Sequence, residues 1–256
     1  MFFRRYVLRT TDLDAAATFY GRLLGWQVCW QKNGGVFVGA AASGEVEPQR
    51  MAELEPLPER ARSQGAPAHW LGLLAVSDVP TDTQRWLQAG AQARGPLQQG
   101  ERGWLQALRD PQGAAMGLCS AADVPSLGVA WHQLHVPDVD LARSTYAALA
   151  GFLPGEDLDL GPPWGRYRGF RCAVDGPSLG AMLSNATTPH IHTQWLYFLR
   201  THDIESALHS VRALGGQAVY TPLAPTAKLR VAVCQDPQGA AFALCEPLTD
   251  SQQSET

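Results

Sequence analysis

The chain has 256 residues, 45% of them apolar and 17% charged, with 20 Lys and Arg against 24 Asp and Glu for a net charge of −4. That is the composition of an ordinary soluble globular protein, and a pI near 6.0 excludes nucleic acid as the main partner, since phosphate binding needs a basic face. No apolar run reaches the roughly 20 residues of a membrane-spanning helix, the opening MFFRRYVLRT lacks the apolar core of a signal peptide, and five scattered cysteines without CxxC spacing (Cys29, Cys119, Cys172, Cys234, Cys245) read as buried hydrophobes of a reducing, cytoplasmic setting.

Along the chain, Arg5–Arg9 alternates as a strand. Asp12-Leu13 then opens a helical pattern with Ala16, Phe19, Tyr20, Leu23 and Leu24 on one face; Gly25 ends it, and Trp26–Trp30 reads as a strand. Gly34-Gly35 marks a hairpin, and Glu55–Pro67 is a longer connection. Trp70–Val76 is the next strand, and a helix follows Asp78 with Thr83, Trp86 and Leu87 on one face. Asp110-Pro-Gln-Gly113 is a turn between strands, and Ser120–Gly128 a turn-rich linker. The second half repeats the plan. Trp131–Val136 leads to a helix of Ala142, Thr145, Tyr146, Leu149 and Ala150 closed by Gly151; Trp195–Leu199 leads to a helix of Ile204, Ala207, Leu208 and Val211 ahead of Gly215-Gly216.

The recurrence is explicit. DPQGAAMGLC at Asp110–Cys119 returns as DPQGAAFALC at Asp236–Cys245, a shift of 126 (236 − 110), and the pairs Asp12/Asp138, Tyr20/Tyr146 and Gly25/Gly151 keep that shift. Each half divides into two β-α-β-β-β modules, four in all. The expected architecture is α+β: two tandem half-barrel domains over residues 1–122 and 128–248, with 249–256 as a disordered tail. One such module leaves a sheet face uncovered; two side by side enclose a concavity, the natural ligand site. Modules paired within one chain permit a monomer, with a homodimer as the alternative.

Asp12-Leu-Asp…Phe19-Tyr20 and Asp138-Val-Asp…Thr145-Tyr146 at the helix starts, with Asp-Pro-Gln-Gly-Ala-Ala closing each half, resemble the vicinal-oxygen-chelate superfamily of glyoxalases, bleomycin-resistance proteins and extradiol dioxygenases. Leu57–Trp70, Trp131-His-Gln-Leu-His135 and Gln194-Trp-Leu-Tyr197 are similar to its two-domain bacterial glyoxalase-like branch. The resemblance implies a divalent metal held by one cavity-facing residue per module, on its first strand (His or Gln) or on its last (Glu). Here the first-strand positions are Arg5, Leu71, Trp131 and Leu196, and the last-strand positions Glu53, Gly117, Ala181 and Ala243. Only Glu53 can ligate, so no metal and no other cofactor is expected. A displaced site would have to use His69 with Glu53, or His135 with His190 and His192.

Alternation puts Arg5, Val7 and Arg9 on the cleft face with Glu53, as an internal ion pair or as a clamp for an anionic ligand. In the second half the same face carries Trp131, Gln133 and His135: an aromatic wall, a hydrogen-bonding amide and a titratable imidazole. His132 points to the helix. Trp164, Tyr167 and Phe170 are expected to add aromatic walls or, as such stripes more often do, to belong to the core. The leading expectation is a metal-free protein that binds a small organic ligand through Arg5, Arg9, Glu53, Trp131, Gln133, Trp164 and Tyr167, without nucleic acid or membrane. The alternative is a glyoxalase-like lyase or isomerase, or an oxygenase of secondary metabolism, using a displaced metal or His135 as a catalytic general base. A scaffolding protein with vestigial clefts ranks last, because no large basic or apolar strip supports it.

Overall fold

The computed structural model describes residues 1–32, 34–39, 48–100, 102–121, 127–159, 165–186, 188, 191–220 and 229–247. Four modules follow one another. The first is β1 (Phe2–Thr10), α1 (Leu13–Leu24), β2 (Gln27–Gln31), β3 (Gly34–Val38) and β4 (Arg50–Pro56). A short helix, α2 (Glu59–Ser63), leads to the second: β5 (His69–Val76), α3 (Val79–Gln88), β6 (Gln92–Ala93), β7 (Gln98–Gly100), β8 (Gly103–Arg109) and β9 (Ala115–Ser120). The third is β10 (Val129–Val136), α4 (Val139–Ala150), β11 (Leu153–Asp159), β12 (Arg166–Arg171) and β13 (Gly180–Ser184). The fourth is β14 (Gln194–Arg200), α5 (Ile204–Ala213), β15 (Gln217–Tyr220), β16 (Leu229–Gln235) and β17 (Ala241–Pro247). The expected α+β repeat is therefore present four times. Helix α2 is an addition to the Glu55–Pro67 connection; it buries no residue, so hydrophobic periodicity gives no sign of it. Residues 122–126 of the linker and the expected tail at 249–256 lie outside the described residues.

The four long helices start alike. Asp12, Asp78, Asp138 and Asp203 are N-caps in extended backbone, and each carboxylate accepts the amide three residues on, at 2.9 to 3.2 Å. Gly25 and Gly151 end α1 and α4 in the left-handed region, with φ of 71° and 69°, where a Cβ would be strained. No helix among the described residues is long and apolar enough to cross a membrane.

The strands form two sheets, in the orders β2-β3-β4-β1-β5-β9-β8-β6, with β7 also on β8, and β11-β12-β13-β10-β14-β17-β16-β15. Register is the same in every module. The first and last strands run parallel, pairing Val7 with Glu53, Leu73 with Gly117, Gln133 with Ala181 and Phe198 with Ala243.

By contacts the chain divides into two compact units, each with modules from both halves: Met1–Arg5, Leu71–Pro125 and Trp131–Leu196 in one, and Tyr6–Trp70, Ser126–Ala130 and Tyr197–Thr256 in the other. In the first, α3 packs on α4; in the second, α1 packs on α5. Each core is built around one tyrosine. In the first unit Trp195 Nε1 donates to the Tyr146 hydroxyl at 2.9 Å, and that hydroxyl donates to Asp110 Oδ2 at 3.0 Å. In the second Trp70 Nε1 donates to the Tyr20 hydroxyl at 3.0 Å, which donates to Asp236 Oδ2 at 3.1 Å. The other oxygen of each carboxylate takes turn amides: Gln112 and Ala114 on Asp110, Gln238 and Ala240 on Asp236. All six side chains are buried, so each relay satisfies polar groups that would otherwise cost about 1–3 kcal/mol apiece. Turn chemistry alone thus does not account for the repeated decapeptide: each turn also holds the tyrosine from the first helix of the other half.

Candidate binding site on the third module

Strand β10 sorts its residues by alternation. His132 faces the core, where its ring stacks on Phe3 with centroids 5.1 Å apart, and its Nδ1 lies 2.8 Å from the Leu179 carbonyl, to which it donates. Burial pushes this imidazole down to about 4, against the raising effect of that bond. Trp131, Gln133 and His135 face the other way. There they meet Tyr167 of β12 and Ala181 and Leu183 of β13, which cluster with Trp131 and with Leu158 of β11.

A directed chain of hydrogen bonds joins the polar groups of this face. Trp131 Nε1 donates to the Tyr167 hydroxyl at 3.1 Å, and that hydroxyl donates to Gln133 Oε1 at 3.2 Å. The Gln133 amide nitrogen is left to donate to His135 Nε2, 2.8 Å away. Each link fixes the next: because Nε2 accepts, the His135 proton sits on Nδ1. Burial lowers His135 to about 4 and raises the Tyr167 phenol, so both are neutral at pH 7. Nε2 is occupied by Gln133, and proton abstraction there would first require breaking that bond.

The other expected site residues fall elsewhere. On the first module Val7 pairs with Glu53 and Arg9 with Glu55, so these arginines and glutamates share a face by alternation. Arg9 lies 3.6 Å from Glu55 rather than against Glu53, and Glu53 lies 3.8 Å from Arg50; Arg5 is buried. Trp164 and His190 lie outside the described residues. His192 is exposed, and His69 Nδ1 lies 3.0 Å from the Pro67 carbonyl. Arg171 of β12, not singled out in the sequence, shares strand parity with Tyr167; that parity was its available signal.

The eight positions where the fold would place metal ligands occupy equivalent register: Arg5, Leu71, Trp131 and Leu196 each stand two residues before the partner of Glu53, Gly117, Ala181 and Ala243. Their chemistry does not fit a divalent cation. Arg5 would repel one, Glu53 has Arg50 beside it, and the remaining six carry no ligating group. At Gly117 the space itself is filled, since a Cβ there would come within 2.5 Å of Leu73 Cδ2 and 2.9 Å of the Gln106 carbonyl. Among the described residues no three His, Cys, Asp or Glu side chains gather at one point. Gly117→Ala is therefore expected to lower stability by about 1–3 kcal/mol through overpacking, read as a lower urea midpoint; an unchanged midpoint would show that Leu73 moves aside freely.

Comparison with known proteins agrees with the fold. A glyoxalase-like domain family matches residues 5–119. CFP32 of Mycobacterium tuberculosis, whose name carries a provisional glyoxylase assignment, is 30% identical over 253 residues, spanning 94% of this chain and 92% of its own. The anthracycline biosynthesis protein DauV of Streptomyces sp. strain C5 is 26% identical over 261 residues, spanning 93% and 90%. The Mn(II)-bound glyoxalase from Novosphingobium aromaticivorans matches 96% of this chain and 82% of its own with a TM-score of 0.64 at 15% identity. The 2,3-dioxygenase LapB from Pseudomonas sp. KL28 matches 96% and 92% with a TM-score of 0.62 at 11% identity. At such identities the solved structures share the fold; chemistry has to be argued from the site.

Proposed function

This chain belongs to the glyoxalase-like branch of the vicinal-oxygen-chelate superfamily, and on that premise we propose that it is a small-molecule-binding protein that works without the superfamily's metal, its ligand lying on the Trp131 face of the third module. The observation that carries this reading is the chain Trp131–Tyr167–Gln133–His135. Its first member, Trp131, stands at a position where related folds would place a ligand to metal, and the chain fixes four side chains without any charge. A face of rigid, neutral hydrogen-bonding groups beside a partly buried indole suits a planar organic molecule, whose rings stack on Trp131 while its polar edge meets the relay. The relative named for anthracycline biosynthesis supports aromatic compounds as the class. An enzymatic role with His135 as general base is less well supported, since Nε2 already accepts from Gln133.

Isothermal titration of the full chain with a neutral dihydroxyanthraquinone tests the proposal. Binding is expected, and Trp131→Ala is expected to weaken it by about 10–100-fold, the share of a stacked aromatic anchor. Equal binding by wild type and Trp131→Ala would place the ligand elsewhere. Near-stoichiometric metal in untagged protein purified without chelator would overturn the metal-free part.

A further inference from the structure

Strand β12 carries three arginines, and two of them have carboxylates. Arg166 lies 3.9 Å from Asp159, and Arg168 lies 2.5 Å from Asp157. Arg171 differs. Its Nε is buried, and among the described residues no hydrogen bond reaches it. A buried guanidinium N–H without an acceptor is costly, because that donor has left water and nothing has replaced it, while the residue as a whole is only half-buried.

Its direction follows from its neighbour. Phe170 is held in the core, stacked on Phe152 at 4.6 Å and edge-on to Trp195 at 5.9 Å. Alternation therefore sends Arg171 to the opposite side, the side of Tyr167. Register places it level with Trp131, with Leu179 between them. Leu179 donates its amide to the Phe170 carbonyl and accepts the His132 amide with its own carbonyl, so Arg171 and Trp131 flank position 179 from two sides. Two strand spacings put them on the order of 10 Å apart. That span matches two fused rings with a carboxylate at one end.

We infer that Arg171 is the anion anchor of this site and that the ligand is a planar aromatic acid, its rings on Trp131 and its carboxylate or enolate oxygen on the Arg171 guanidinium. The inference rests on the proposed function and adds charge to it. Guanidinium is suited to the task, since its planar donors meet a carboxylate two at a time and hold their charge at any working pH.

The test compares 2-naphthoate with 2-naphthamide, alike in shape and different in charge, by isothermal titration of the full chain at low salt. Wild type is expected to prefer the acid by about tenfold or more. Arg171→Gln should bring the acid-to-amide ratio close to one, with Arg171→Lys between the two because it keeps the charge and loses the paired geometry. A thermal melt of each variant confirms that it is folded. A wild type that does not discriminate, or an Arg171→Gln protein that keeps the full ratio, overturns the anchor while leaving an aromatic site in place. If neither compound binds wild type and the neutral anthraquinone also fails, the proposed function falls and the anchor with it.

Discussion

Asp236→Ala is expected to destabilise the protein by about 3–5 kcal/mol, among the larger losses a single substitution produces. The residue accepts the Tyr20 hydroxyl on one oxygen and the amides of Gln238 and Ala240 on the other. Alanine would leave all three donors without an acceptor in a site only 3% exposed, and each unsatisfied group carries its own desolvation cost. Urea unfolding reads the loss as a lower midpoint at unchanged slope. Asp110→Ala should behave alike, since its relay repeats the same atoms. Tyr20→Phe isolates the tyrosine link and is expected to cost about 1–3 kcal/mol. In the Tyr20→Phe background Asp236→Ala should cost less than it does alone. If it costs the same, the carboxylate serves only its own turn.

Acidification is the second large effect. His132 and His135 are held neutral down to about 4 by burial, against an ordinary value of 6.5. The unfolded chain binds these protons first, so their contribution is complete above pH 6.5 and is lost as pH falls from 6.5 towards 4. The 2.5-unit gap corresponds to at most about 3 kcal/mol for each imidazole. Asp110 and Asp236 run the other way: burial raises both carboxyls, so their contribution is present below 3.8 and is lost as pH rises through the raised values. They therefore offset part of the fall at the acid end. Urea midpoints are expected to drop between pH 7 and pH 4.5. His132→Asn, which keeps a donor for the Leu179 carbonyl, and His135→Gln, which keeps an acceptor for Gln133, should each flatten the drop. If neither His132→Asn nor His135→Gln changes the pH dependence of the midpoint, both rings titrate as they do in water.

What the sequence made legible was local. A capping aspartate, a 3.6-residue apolar period and a terminal glycine all lie within one helix, so α1, α3, α4 and α5 could be read directly. Strand parity groups Trp131, Gln133 and His135 on one face, where hydrogen bonds join them through Tyr167, and turns His132 to the other, expected to meet the helix, where its ring stacks on Phe3 of β1. Parity does not reveal partners, however. Arg9 lies beside Glu55 because the parallel register of β1 and β4 sets those two side by side, and register is not written in either strand alone. The relays were illegible for the same reason: Tyr20 and Asp236 stand 216 residues apart, and nothing in either segment announces the other. Sheet membership follows the two halves of the chain while the compact units do not, because long-range core packing, unlike strand patterning, leaves no periodic trace. Arg171 went unnoticed because an arginine on a strand is unremarkable until its neighbours are seen to have carboxylates and it does not.

The reciprocal relays also bear on how the two repeats can diverge. Each turn carboxylate serves a tyrosine encoded in the other repeat, so a change in either copy's turn leaves a partner in its sibling stranded, and two residues must change together for the core to stay satisfied. The first-strand positions on the opposite face have diverged instead. Arg5, Val7 and Arg9 occupy in the first repeat the places held by Trp131, Gln133 and His135 in the second, and all three differ. A duplication bound at its turns and released at its faces keeps one scaffold while each copy acquires chemistry of its own.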